Sequence, residues 1–290
     1  MTKAGNTAAE RLERLRAGAE YLKERLGSRR PEIGLILGSG LGDLAEQLED
    51  AVYIPYEDVP FLPRSTVEGH AGRFAAGRLE DRDVLAMQGR FHYYEGYSMQ
   101  QVVAPVYLMK LLGIADLVIT NAAGGMNASF EPGDLMLISD HLNWTGANPL
   151  IGENVPELGV RFPDMSEAYS KSHRELAKRL AAELNEREQL GLNLREGVYA
   201  GVAGPTYMTP SELIMLRNLG GDAVGMSTVG EVIAARHAGI SVLGISCITD
   251  MAIGEHLEPL THEQVMETAN RTKPKFQRLV REFVKRIGGG

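Results

Sequence analysis

Three apolar segments that end in small or polar residues constrain the fold of this chain more than any other feature. They are EIGLILGSGLG (residues 32–42), DLVITNAAGG (116–125) and SVLGISCITD (241–250). Nearly continuous apolar runs are typical of strands that are buried on both faces, as in a parallel sheet covered by helices. Segments with helical periodicity separate these strands. The sequence therefore predicts an α/β fold with a central, mostly parallel mixed β-sheet flanked by helices.

The chain shows no boundary between domains. No internal repeat, low-complexity tract or linker interrupts its 290 residues. We therefore predict a single domain over residues 1–290, with an N-terminal helix within residues 1–30 that packs on it. The segment 141–165 is rich in Gly, Pro and Asn and is predicted to be a loop. The other main helices are predicted over residues 98–113 and 166–185 and after Thr209, Thr228 and Thr261.

Composition and charge limit the partners that this protein can have. The chain carries a formal net charge of -8 and is 44% hydrophobic, which gives no reason to expect nucleic acid or a membrane surface as a partner. No run of about 18 apolar residues could span a bilayer, and the N-terminus lacks the apolar core of a signal peptide. Cys247 is the only cysteine, which fits a reducing compartment. We predict a cytoplasmic protein.

Two polar motifs at predicted strand ends suggest an anion site. In MQGRFHYYEGY (87–97), continued strand geometry would place Arg90, His92 and Tyr94 on one side, with Glu95 near enough to orient His92. Arginine presents a fork of donors suited to phosphate, and Ser39 in GSGLG adds a hydroxyl in a glycine-rich turn. Ligands of α/β sheets bind outside the carboxyl ends of the strands. A plain tight turn and an ordinary polar strand end remain the alternatives for these two motifs.

A third candidate for anion binding is a predicted helix N-terminus. Ser227 directly precedes the helix, and free N–H groups at such an end favour a negative charge. Thr228 and Glu231 have the spacing of a capping box, so we assign them a structural role and no chemistry. No Cys/His cluster with metal-ligand spacing occurs in the sequence, and we predict no metal site.

Taken together, seven ordered segments resemble the trimeric purine nucleoside phosphorylases. They are LILGSGLG, TVEGHAGR, MQGRFHYYEGY, VITNAAGG, RFPDMSEAY, VAGPTY and DAVGMSTVGEVIAARHAG. The resemblance covers about residues 32 to 285. It implies a homotrimer that cleaves purine nucleosides with inorganic phosphate, giving the free base and ribose or 2′-deoxyribose 1-phosphate. It implies no cofactor, because phosphate is a co-substrate.

The resemblance also implies roles for individual residues of this chain. It implies catalytic roles for Arg90, His92 and Asp250. The implied phosphate contacts are Ser39, His70, Arg90, His92, Asn121, Ala122 and Ser227. The implied ribose contacts are Tyr94, Met226 and His262, together with Phe162 from a neighbouring subunit. The implied base contacts are Ala122, Tyr207, Met208, Val224, Gly225 and Asp250.

Two positions depart from the members of the family that are specific for 6-oxopurines. Those members carry Glu where this chain has Met208, and Asn where it has Asp250. An ionised aspartate only accepts hydrogen bonds, so it would oppose a 6-keto oxygen but accept from a 6-amino group. A buried polar mismatch costs about 1–3 kcal/mol, which corresponds to a tenfold to hundredfold preference. We therefore predict that adenosine is accepted.

Four alternatives remain at this stage. An inosine- or guanosine-specific phosphorylase would tolerate Asp250 through a proton or a water molecule. A methylthioadenosine phosphorylase also carries Asp at this place, but His262 favours a free 5′-hydroxyl. A nucleosidase would use water in place of phosphate, which the predicted anion site disfavours. A purine-binding protein without catalysis would have no use for both a phosphate and a sugar subsite.

Overall fold

The computed structural model describes residues 7–67 and 71–288. This part of the chain contains nine strands and seven α-helices. The strands are β1 Ile33–Leu37, β2 Glu49–Pro55, β3 Arg73–Leu79, β4 Arg82–Gln88, β5 Asp116–Gly125, β6 Leu135–Trp144, β7 Leu194–Val202, β8 Ala223–Gly225 and β9 Ser241–Met251. The helices are α1 Ala8–Leu26, α2 Met99–Val102, α3 Ala104–Leu111, α4 Lys171–Glu188, α5 Pro210–Asn218, α6 Val229–His237 and α7 His262–Arg286.

The strands form one mixed sheet, which confirms the predicted α/β fold. Their order is β2-β3-β4-β1-β5-β8-β7-β6-β9, and β5 also pairs with β9. The pairs β1–β4, β1–β5, β5–β9, β6–β7 and β7–β8 are parallel, whereas β2–β3, β3–β4, β5–β8 and β6–β9 are antiparallel. The extra β5–β9 pairing closes five strands into a ring, a feature that the sequence did not predict.

Helices cover both faces of the sheet. One apolar cluster includes residues of α1, α3 and α6, and a second includes residues of α4 and α7. All five residues of β1 are buried, as a strand covered on both faces requires. Helix α1 begins with a capping box formed by Thr7 and Glu10. None of the helices in the described residues combines the length and apolar character needed to cross a membrane.

Several predicted boundaries differ from the structure for local reasons. The predicted helix 98–113 is divided at Val103, because Pro105 in the first turn of α3 has no N–H to continue the bonding of α2. Strand β6 runs to Trp144 and takes the first residues of the predicted loop 141–165. Helix α4 begins at Lys171, five residues after the predicted start at 166. Strand β2 was not predicted, because its exposed first residues hide the apolar pattern.

Gly38 directly follows β1 and lies against the backbone of β5. A larger residue at this position should therefore destabilise the fold. In Gly38→Ala the added Cβ would lie 2.5 Å from the carbonyl oxygen of Thr120 and 3.0 Å from Cα of Asn121. Both are backbone atoms of β5, so only separation of the strands relieves the overlap, and we expect a loss of about 1–3 kcal/mol. Gly42→Ala is the control, since its Cβ meets only the Gln88 side chain, at 3.6 Å. Equal unfolding free energies of the two variants in denaturant would contradict this prediction.

Candidate active site

The carboxyl ends of β1, β5 and β9 open into a pocket of about 850 Å³. This volume lies within the range of about 300–1,000 Å³ that small-molecule sites occupy. The pocket brings together most of the residues singled out in the sequence: Ser39, Arg90, His92, Tyr94, Asn121, Ala122, Tyr207, Met208, Val224, Gly225, Met226, Ser227, Asp250 and His262. Seven separated segments of the chain therefore contribute to one cavity.

Two predicted site residues remain to be placed. His70 lies outside the described residues. Phe162 lies between β6 and α4, and 86% of its surface is exposed. It borders no part of the pocket of its own chain. Its predicted contact with the ribose of a neighbouring subunit stays a prediction.

Strand alternation, which the sequence suggested, is not what brings Arg90, His92 and Tyr94 together at the pocket. Strand β4 does not continue through the motif but ends at Gln88. A single 3₁₀ turn over Tyr93–Glu95 follows, with His92 as its first cap. The ring of His92 stacks on that of Tyr94, with ring centroids 4.7 Å apart and planes at 17°. The turn and this stacking, and not strand alternation, place the three side chains at the pocket wall.

The guanidinium of Arg90 is buried, and within the described residues it donates hydrogen bonds to four oxygen atoms from distant parts of the chain. Nη1 donates to Ser227 Oγ at 2.9 Å and to Thr228 Oγ1 at 3.1 Å. Nη2 donates to the carbonyl oxygens of Ile36, at 3.4 Å, and of Thr120. Only 1% of the residue is exposed. The positive charge therefore lies directly behind the hydroxyl of Ser227, where it attracts an anion in the pocket.

The assignment of Thr228 and Glu231 as helix caps is wrong. Thr228 has φ 74° and ψ −52°, and its side chain makes no capping hydrogen bond. The N–H of Val229 donates to the carbonyl of Ser227 at 2.8 Å, so Thr228 is the centre of a γ-turn. A β-branched residue in this conformation is strained and needs support from its surroundings. The support comes from Arg90 and from Asn121 Nδ2, which donates to Thr228 Oγ1 at 2.9 Å.

Glu231 is the buried counter-charge of Arg90. Its Oε2 lies 3.4 Å from Nη1 of Arg90, and the two side chains are 3% and 2% exposed. A buried carboxylate and a buried guanidinium are both unfavourable alone, so each requires the other. Sequence reasoning missed Thr228 and Glu231 as site residues. Their residue types and spacing match a capping box, and their contact with Arg90 becomes visible only in the folded chain.

Glu95 orients His92 as the sequence suggested. Its Oε1 accepts from the His92 backbone N–H at 2.6 Å and lies 3.1 Å from Nδ1 of the ring. Its Oε2 accepts from the backbone and hydroxyl of Thr66. Burial raises the pKa of Glu95, but these hydrogen bonds outweigh it and lower the pKa to about 2. These contacts of the Glu95 carboxylate with the backbone and with Nδ1 fix the orientation of the His92 ring at the pocket wall.

A β-bulge turns Asp250 into the pocket. Ala123 pairs with Ile248 but Gly124 pairs with Asp250, so Thr249 is the extra residue on β9. Neighbouring residues on a regular strand point to opposite faces, yet Thr249 and Asp250 both line the pocket. Thr249 Oγ1 donates to Asp250 Oδ1 at 2.8 Å.

The surroundings of Asp250 shift its pKa. Burial raises the pKa of Asp250, and the hydrogen bond from Thr249 only partly opposes this. Burial and the nearby Asp250 carboxylate likewise raise the pKa of Tyr207. Gly124 leaves room for the carboxyl group, because a Cβ there would lie 3.1 Å from Asp250 Oδ2. In the described residues no group of three or more His, Cys, Asp or Glu side chains is arranged to hold a metal ion.

Comparison with known proteins gives a consistent result. The family model of the phosphorylase superfamily matches residues 32–285. The chain is 59% identical to purine nucleoside phosphorylase 1 of Geobacillus stearothermophilus, over 93% of this chain and 96% of that protein. Isoform 2 of purine nucleoside phosphorylase from Schistosoma mansoni, in complex with cytosine and ribose-1-phosphate, is 43% identical. It superposes with a TM-score of 0.89 over 95% of this chain and 96% of that chain.

A second Schistosoma mansoni structure shows a purine nucleoside phosphorylase in complex with adenosine. It is 40% identical to this chain and has a TM-score of 0.88, with coverage of 95% of this chain and 98% of that chain.

Replacing Glu95 with glutamine should weaken anion binding at this site. The glutamine amide has one acceptor oxygen, so it cannot accept from both His92 and Thr66 as the carboxylate does. The ring of His92 is then held less firmly, and we expect the dissociation constant for inorganic phosphate, measured by titration calorimetry, to rise several-fold. The control is Glu57→Gln, which changes an exposed carboxylate paired with Arg64. Unchanged phosphate affinity in Glu95→Gln would contradict the role of Glu95.

The same substitution should have a pH-dependent effect on stability. Glu95 has a pKa of about 2 in the fold against an ordinary value of 4.5. Its contribution to the free energy of unfolding is therefore complete above pH 4.5 and is lost as the pH falls towards 2. The stability difference between the wild type and Glu95→Gln should be full at pH 7 and shrink below pH 4.5. A difference that is independent of pH would show that the charge of Glu95 does not contribute.

Proposed function

Because the chain belongs to the purine nucleoside phosphorylases of the phosphorylase superfamily, we propose a role for each part of its pocket. Its reaction is the cleavage of the N-glycosidic bond of a purine nucleoside by inorganic phosphate. A phosphate oxygen bonds to C1′ of the sugar while the C1′–N9 bond breaks. The electron pair leaves with the purine, which takes up a proton, and the products are the free base and the sugar 1-phosphate.

Phosphate binds on the side of the pocket formed by the N-terminus of α6 and the end of β1. Ser227 and Ser39 offer hydroxyl donors, and the His92 ring, oriented by Glu95, lies beside them at the pocket wall. The buried charge of Arg90 and the helix N-terminus attract the anion from behind Ser227. Asn121 and the backbone of Ala122 complete this side, and His70 is expected to join them. Phosphate is a co-substrate, and the proposed reaction uses no cofactor or metal ion.

The sugar lies between phosphate and base, against Tyr94, Met226 and His262. Burial raises the pKa of Tyr94 to about 12, so its hydroxyl is neutral at physiological pH and can donate to a sugar oxygen. His262 provides a polar contact for the 5′-hydroxyl, which favours nucleosides with a free 5′-hydroxyl over methylthioadenosine. Positive charge develops on the sugar as the bond breaks, and the bound phosphate stabilises it.

The base binds between Tyr207, Val224 and Gly225, with Asp250 facing its 6 and 7 positions. The observation that carries this proposal is the bulge of β9, which aims the carboxyl of Asp250 into the pocket while Thr249 holds Oδ1. An ionised Asp250 accepts from a 6-amino group, and a protonated one donates to N7 as charge develops there. Met208 places no carboxylate opposite N1 of adenine, which has no hydrogen to donate. We therefore propose that adenosine is a substrate.

The active form is a homotrimer in the cytoplasm. Phe162, Val160 and Ile151 are 86%, 64% and 69% exposed, and apolar side chains exposed so close together suit coverage by a second copy of the chain. In this arrangement Phe162 covers the sugar in the neighbouring pocket. A cytoplasmic location suits an enzyme whose single cysteine, Cys247, is free and buried.

The base preference can be tested directly. Adenosine, inosine, guanosine and methylthioadenosine are each incubated with the enzyme, with and without phosphate, and release of base is followed. We expect adenosine cleavage that requires phosphate. In Asp250→Asn, the ratio of kcat/KM for inosine to that for adenosine should rise tenfold to a hundredfold. Cleavage of inosine without turnover of adenosine by the wild type would overturn the proposed specificity.

Met208→Glu gives an independent test of the same site. The new carboxylate would face N1 of adenine, which has no hydrogen to donate, whereas N1–H of hypoxanthine or guanine can pair with it. We expect this variant also to favour inosine and guanosine, and the double variant with Asp250→Asn to show the largest change. If neither variant alters the preference, these two residues do not contact the base.

Subunit mixing tests the contribution of Phe162 to a neighbouring site. Phe162→Ala should raise the KM for nucleoside, and His92→Ala should impair phosphate use within its own pocket. In mixed trimers, a His92→Ala subunit supplies an intact Phe162 to the pocket of a neighbouring Phe162→Ala subunit, which has an intact His92. Co-expression of the two variants should therefore give more activity than the sum of the separate homotrimers. Activity equal to that sum would mean that Phe162 does not act across subunits.

A further inference from the structure

Residues 148–162 belong to the loop between β6 and α4, and side chains from three helices hold this part of it. Arg11 of α1 donates to the carbonyl of Glu153 at 2.7 Å. Gln100 of α2 donates to the carbonyl of Ile151 at 3.0 Å. A cavity of about 430 Å³ lies between α1, α3 and this loop. Val155 and Leu158 anchor the middle of the loop in the apolar core. The polar contacts act beside this cavity and fix the backbone on either side of those two residues.

His237, the last residue of α6, makes the most buried of these contacts. Its Nε2 lies 3.2 Å from Asn154 Oδ1, and its Nδ1 lies 3.0 Å from the hydroxyl of Tyr107. The amide oxygen can only accept, so Nε2 carries the hydrogen and Nδ1 accepts from Tyr107. Burial lowers the pKa of His237, which favours the neutral ring that this arrangement needs. Only 6% of His237 is exposed.

Asn154 extends this contact to the end of the loop. Its Nδ2 donates to the carbonyl of Gly159 at 3.1 Å, three residues before Phe162. Gly159 in turn lies directly on the backbone of His237, because a Cβ added there would overlap the His237 carbonyl oxygen. The side chain and the backbone of His237 therefore fix the same short segment, 154–159, from two directions.

We propose that His237 is a positioning residue that, through Asn154 and Gly159, holds the loop in the place from which Phe162 reaches the neighbouring pocket. This inference rests on the proposed role of Phe162 at the neighbouring sugar. Helix α6 spans nine residues, about 13 Å. Its first turn holds Glu231 against Arg90, while its last residue holds the loop. One short helix thus links the phosphate side of a pocket to the element that completes the next pocket.

Asn154→Ala is the main test, because Asn154 is only half-buried and its loss leaves His237 and the core intact. We expect the KM for nucleoside to rise about tenfold, as in Phe162→Ala, while the KM for phosphate changes less than about twofold. Gly159→Ala should have the same effect by a different route, since its Cβ forces the segment away from His237. Glu157→Ala is the matched control, on an exposed position of the same loop.

The double variant Phe162→Ala/Asn154→Ala separates positioning from general destabilisation. If Asn154 acts only through Phe162, the double variant should have the nucleoside KM of Phe162→Ala alone. Additive effects, or a nucleoside KM that stays unchanged in both Asn154→Ala and Gly159→Ala, would overturn the proposal. Loss of the trimer in sedimentation, in place of a change in KM, would also overturn it.

The experiments distinguish failure of the proposed role of Phe162 from failure of the role of His237. If Phe162→Ala itself leaves the nucleoside KM unchanged, the proposed sugar contact fails before the role of His237 is tested. If Phe162→Ala raises that KM and the two loop variants do not, Phe162 keeps its role and His237 loses its own.

Discussion

The buried guanidinium of Arg90 is the group on which the rest of the site depends. A fully buried charge is tolerated only when hydrogen bonds and a counter-charge surround it. Here the carbonyls of Ile36 and Thr120 tie it to β1 and β5, and Glu231 of α6 supplies the opposite charge. Two strands and one helix must therefore meet at a fixed distance before Arg90 can be buried.

The strain at Thr228 is a consequence of this arrangement. The γ-turn brings the hydroxyls of Ser227 and Thr228 together at Nη1 of Arg90, which a regular helix start would not do. Asn121 on β5 holds Thr228 from the other side. The result is a serine hydroxyl at the pocket wall with a fixed positive charge behind it. If phosphate binds here as proposed, its hydrogen-bond donors are already in place and need little rearrangement during the reaction.

The opposite side of the pocket uses a backbone irregularity instead of a charge. Strand β9 would turn one of two neighbouring side chains away from the pocket, but the bulge at Thr249 brings both Thr249 and Asp250 into it. The proposed phosphate side is therefore held by the buried pair of Arg90 and Glu231. The proposed base side is held by a bulge and one hydrogen bond.

Much of the fold could be predicted from the sequence. Buried strands produce continuous apolar runs, and Thr7, Thr209 and Thr261 produce capping boxes that the structure contains. The closure of the sheet by β5 and β9 could not be predicted, because the pairing of strands distant in sequence leaves no local pattern. The division of the helix at Val103 was missed although Pro105 was visible, because the apolar spacing continues through it.

The sequence by itself determined which residues are available for chemistry at the ends of the strands, including the unusual Asp250 and Met208. This was possible because the apolar runs that mark the strands are visible in short stretches of sequence. Only the tertiary structure decided that Glu231 pairs with Arg90 and does not cap its own helix, and that His237 contacts the loop of Phe162. The same residue types can serve as helix caps or as partners of distant groups. Which role they take depends on the group that the fold brings within hydrogen-bonding distance.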